Sequence, residues 1–94
     1  MSGKMKSHGN YEIIVPSRAG TDLHNRDKTI DGHIRIEAYK KTGTNIYVDL
    51  FLSKIQRADD AHITSESFPW TSDGANKATR FLQENGFRVV VAIK

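Results

Sequence analysis

Apolar and polar residues alternate most cleanly over residues 33–52. Side chains in a strand point to opposite faces with period two. Ile34, Ile36, Ala38, Ile46, Val48, Leu50 and Leu52 therefore share one face of a predicted β-hairpin, and His33, Arg35, Glu37, Tyr39, Tyr47, Asp49 and Phe51 share the other. Gly43, within Lys41-Thr42-Gly43-Thr44, supplies the residue that a tight connection with positive φ favours. The first set is a core face. The second holds three aromatics beside an arginine and a histidine, which is more than a solvated face requires.

Upstream, Tyr11-Glu12-Ile13-Ile14-Val15 is a short β-rich run closed by Pro16. Residues 16–32 are polar with no clear period, and read as a long loop carrying Arg18, His24, Arg26 and Lys28. Residues 1–10 have no apolar periodicity and read as a flexible basic tail, so a single domain is expected over 11–94. Downstream of the hairpin, 62–68 reads as a weaker strand, with a turn or bulge expected at Arg57-Ala58-Asp59-Asp60. Thr71 or Ser72 can cap a helix, and Asp73 suits its positive end. Ala75, Ala78, Phe81 and Leu82 form one stripe, and Asn85-Gly86 stops the helix. The almost continuous apolar run from Phe87 to Ile93 predicts a last strand inside the sheet rather than at its edge. The expected fold is α+β: a four- to five-stranded, mainly antiparallel sheet with one helix packed on one face. Ile36, Val48, Leu50, Phe81, Leu82 and Val91 are its predicted core.

Composition narrows the class rather than the function. Ninety-four residues, 37% hydrophobic and 27% charged, are ordinary for one small globular domain. No apolar run reaches the roughly 18–20 residues of a membrane span. The start of the chain is basic without an apolar stretch behind it, which is not the pattern of a signal peptide. With no cysteine there is no disulfide, thiol nucleophile or cysteine-based zinc site, and a reducing cytoplasm fits. Net charge is +3, and the excess lies in residues 1–41, a bias that suits a phosphate backbone or an acidic partner.

The candidate chemistry is sparse. His24 lies near Asp22 and Asp27, and His62 near Asp59 and Asp60, but neither set has a recognised ligand spacing, so no metal and no cofactor is expected. Ser65 and Ser67 lie near His62 and Glu66 without the Gly-x-Ser-x-Gly turn of a nucleophile. Trp70 reads as an anchor of the helix start. The remaining signal is the second hairpin face. Arg35, Tyr39, Tyr47 and Phe51, with Lys40 and Lys41, form the predicted partner-binding set, and Arg18, His24, Arg26 and Lys28 a possible basic contact loop. Such a face can dock a protein or stack bases, or it can be covered by the chain's own tail or loop.

The layout of an antiparallel set at 33–40, 45–55 and 62–68, then a helix from Ser72-Asp73 to Asn85-Gly86, resembles several small phage proteins, among them anti-CRISPR inhibitors built as a sheet with one covering helix. The resemblance spans about 33–86 in element order, and no motif is matched residue by residue. It implies a stoichiometric inhibitor of a protein or nucleoprotein complex without enzyme activity. The alternative is a small nucleic-acid-binding module using the aromatic and basic face.

Overall fold

A computed structural model describes residues 11–17, 27–41, 45–52 and 61–94. In chain order these form β1 (Tyr11–Val15), β2 (Asp27–Asp31), β3 (Ile34–Lys40), β4 (Asn45–Leu52), β5 (Ala61–Pro69), α1 (Ser72–Glu84) and β6 (Val89–Ile93). Strands β2-β3-β4-β5 make an antiparallel four-stranded sheet in that order, and β1 and β6 make a separate parallel pair. The fold is therefore α+β, as the alternation predicts. The expected flexible tail at 1–10, and residues 42–44 and 53–60, lie outside the described residues.

Two expectations are corrected. The polar stretch read as a loop contains β2, which pairs with β3 from Asp27↔Ala38 to Asp31↔Ile34. The two-residue turn Gly32-His33 joins them, and Gly32 has φ +67°. Positive φ there matches the twist of flanking strands and favours glycine. His33 is thus a turn residue and not part of a strand face. The second correction concerns β6. It is not inside the main sheet, but pairs with β1 alone, Ile13 opposite Val91. Its unbroken apolar run arises because Val89 and Val91 face the core while Val90 and Ala92 stay half-buried. On its other edge a helix side chain stands in for a strand. Thr79 Oγ1 accepts from the Val91 amide at 2.8 Å and lies 3.0 Å from the Ala75 carbonyl, to which it donates.

The inner face of the large sheet brings Ile36, Ala38, Ile46, Val48 and Leu50 against Ala75, Ala78 and Leu82 of α1 and against Ile13, Val15, Val89 and Val91 of the parallel pair. Phe81 is only half-buried and meets Phe68 at a centroid distance of 5.9 Å. Helix α1 begins at Thr71, whose hydroxyl accepts from the Gly74 amide at 2.9 Å. It ends with Gly86 at φ +92° and bonds from Gly86 N to the Gln83 carbonyl and from Phe87 N to the Leu82 carbonyl, the glycine-terminated end that the sequence predicts. Trp70 packs half-buried on the core, as an anchor should.

A charged cluster ties the parallel pair to the large sheet. Buried Asp31, at the end of β2, accepts from the Arg88 backbone amide at 2.7 Å and from its guanidinium at 2.7 Å. Arg88 also reaches the Tyr11 hydroxyl at 3.2 Å. The hydrogen bond from Arg88 holds the Asp31 carboxyl below the usual carboxylate range, outweighing the opposite pull of burial.

Candidate functional site

The register sorts the outer face of the sheet into three rows that cross the strands. Ile30, Arg35, Phe51 and His62 form the first, Lys28, Glu37, Asp49 and Ser65 the second, and Tyr39, Tyr47 and Ser67 the third. A bulge makes the β5 positions possible. Leu50 pairs with Thr64, but Phe51 pairs with His62, so Ile63 is the extra residue. Simple alternation would separate His62 from Ser65 and Ser67. The bulge puts all three on one face.

The middle of this face is buried. Glu37 is 1% exposed, Tyr39 4% and Asp49 6%. Charged groups persist in such a place only when paired or hydrogen-bonded. The Arg35 Nε donates to Glu37 at 2.9 Å, the Tyr39 hydroxyl donates to Asp49 at 3.0 Å, and the Ser65 hydroxyl donates to Asp49 at 2.7 Å. The expectation of one exposed patch is therefore corrected at Tyr39. Its ring lies inside and its hydroxyl serves a buried carboxylate. Arg35, Tyr47 and Phe51 are half-buried, and Lys41 is exposed.

The aromatic rings at the rim carry cations. The Arg35 guanidinium lies 4.3 Å from the Phe51 centroid, and His62 meets the same ring edge-on at 5.3 Å. Tyr47 stacks on Tyr39 at 5.8 Å and holds the Lys41 ammonium 4.9 Å from its centroid. Both rings thus have contacts on their π surfaces already. Lys40, expected on this face, belongs to the other side. Its ammonium donates to the Ser17 carbonyl at 3.1 Å and sits 4.6 Å from the Trp70 ring, and Lys40 pairs with buried Ile46. It fixes the structure behind the sheet.

Arg18, His24 and Arg26 of the proposed basic loop lie outside the described residues. Lys28, the fourth, is exposed on β2 and joins the outer face directly. Asp22, Asp59 and Asp60 of the two possible metal clusters also lie outside, and among the described residues no three His, Asp or Glu side chains gather.

His62, Ser65 and Asp49 make a chain, with His62 Nε2 2.9 Å from the Ser65 hydroxyl. Its order differs from that of a hydrolytic triad, where histidine lies between serine and the acid so that it can take the serine proton. Here serine is in the middle and gives its only proton to Asp49. Its oxygen can then accept only from a His62 Nε2–H, and the two bonds tie β5 to β4 across this face. Sequence reasoning missed Ile30, His62 and Ser65 as parts of this face. Ile30 lies in a stretch without alternation, and the other two reach it only through the bulge. No helix of the described residues is long and apolar enough to cross a membrane. No protein family, curated protein or solved structure matches the chain.

Proposed function

We propose that this chain is a non-enzymatic binding protein that docks a protein or nucleoprotein complex through the outer face of its four-stranded sheet. Its specific form, in keeping with the element order of small phage inhibitors, is a stoichiometric blocker acting in the cytoplasm. The observation that carries this reading is the rim of half-buried Arg35, Tyr47 and Phe51 set around a buried, hydrogen-bonded carboxylate centre. Preformed aromatic and arginine anchors are what contact centres use. The serine-centred order of the His62–Ser65–Asp49 chain speaks for binding rather than catalysis.

A protein surface is favoured over nucleic acid for one physical reason. Stacking of bases, at about 1–3 kcal/mol each, needs an open π-face. Tyr47 and Phe51 already lend theirs to Tyr39, Lys41, Arg35 and His62. The test compares proteins captured by the parent chain with those captured by Tyr47→Ala and Phe51→Ala, with melting points measured alongside. Loss of one captured protein at a nearly unchanged melting point is expected, because truncating a central anchor can cost about 2 kcal/mol or more of binding. Identical capture by both variants would remove the outer face as the docking surface. A steeply salt-dependent mobility shift with single-stranded DNA or RNA would favour the nucleic-acid module instead.

A further inference from the structure

We infer that the segment this face receives is acidic: a stretch of protein whose carboxylates meet Lys28 and Lys41 while an apolar side chain lies against Ile30. The inference rests on the docking reading above and adds the chemistry of the partner. It comes from where the face keeps its charges. Both of its acids, Glu37 and Asp49, are sunk to a few per cent exposure. The exposed charges, among the described residues, are the lysines Lys28 and Lys41, and neither makes an ion pair there. Burial of the acids leaves their field shared with Arg35, Tyr39 and Ser65, so an approaching ligand meets the cationic rim first.

The two lysines are not equivalent. Lys41 holds its ammonium over the Tyr47 ring, which restrains it before any partner arrives. Restraint of a long side chain in advance reduces the ordering cost of binding. Lys28 is held only through its backbone, where it stands opposite Glu37 on the edge strand β2. Two residues further along the same face, Ile30 is 47% exposed. A cation beside an exposed aliphatic group on one strand is a two-point mark for an acidic segment that also carries an apolar residue. The same cations could serve phosphates, but base stacking would then have to displace the contacts that occupy Tyr47 and Phe51.

The test uses a fluorescein-labelled peptide of alternating glutamate and leucine, the matching lysine–leucine peptide, and labelled oligothymidylate, each titrated against the full chain at two salt concentrations. The acidic peptide should bind, more weakly at high salt, and the lysine peptide should not. The Lys28→Glu/Lys41→Glu double variant should weaken acidic-peptide binding about tenfold, while Arg80→Glu, on the exposed side of α1, should leave it unchanged. Equal binding of both peptides, or an unaffected double variant, overturns the inference. Oligothymidylate binding tighter than the acidic peptide overturns it in favour of nucleic acid. If Tyr47→Ala and Phe51→Ala lose their captured protein while the acidic peptide is ignored, the docking reading survives and the acidic segment does not. If capture is unchanged yet the peptide binds through both lysines, the lysines bind acidic segments and the aromatic anchors fall.

Discussion

Gly74 shows how one residue can reverse a general preference. In the interior of a helix, alanine is better than glycine by about 1 kcal/mol. Here a Cβ at position 74 would fall on the carbonyl oxygen of Pro69, a backbone atom held in place by the Thr71 amide that donates to it. Gly74→Ala should therefore lower the denaturant midpoint, whereas Asn76→Ala, exposed two residues on, should not. Asp31 is, among the described residues, a carboxylate whose protonation bears on stability. Its folded carboxyl titrates below the ordinary range because Arg88 bonds to it. The stability it contributes is complete above the unfolded carboxylate value of about 3.9 and disappears as pH falls through its lower folded value. Asp31→Asn should thus flatten the acid limb of a stability–pH profile below about pH 4. An unchanged acid limb would show that other carboxylates govern it.

At the scale of elements, α1 supports β6 through the Thr79 hydroxyl as well as through apolar contact. Thr79→Val keeps the shape but strands the amide of buried Val91, a loss of about 1–3 kcal/mol. Amide exchange at Val91 should accelerate more than at its neighbours in β6, and a uniform change would mean the hydroxyl does not hold that edge. The helix, its cap and the β3–β4 hairpin were legible because local pattern and tertiary role agree. Strand β2 was not. Its inward positions Asp27, Thr29 and Asp31 are polar and its outward Ile30 is exposed, an inversion of the usual pattern. Gly32-His33 was the available signal, since glycine at the first position of a two-residue connection marks a tight hairpin turn. The bulge at Ile63 has no sequence mark, which is why His62 and Ser65 were not grouped with Phe51 and Asp49. Burial of Tyr39 depends on what lies over the sheet, and alternation reports only the side to which a residue points.

Across the whole molecule, one apolar cluster joins both sheets and the helix. Leu50, 4% exposed, should cost about 2–5 kcal/mol when cut to alanine, as deletion of buried methyl groups does. Half-buried Phe81 should cost less in the same substitution, and a reversed order in thermal melts would contradict the placement of the cluster. The parallel pairing of β1 with β6 carries a consequence for folding rates. These are the two strands farthest apart along the described chain, so their pairing must close the longest loop, whereas β2 to β5 meet their neighbours in succession. Contacts of long sequence separation pay loop-closure entropy before they return any stability. The β1–β6 pair should accordingly form after the rate-limiting step. Ile13→Ala should speed unfolding and leave the folding limb of a chevron plot in place, while Leu50→Ala should slow folding. Opening from the native state would then begin by release of β1, leaving the antiparallel sheet and its outer face still assembled.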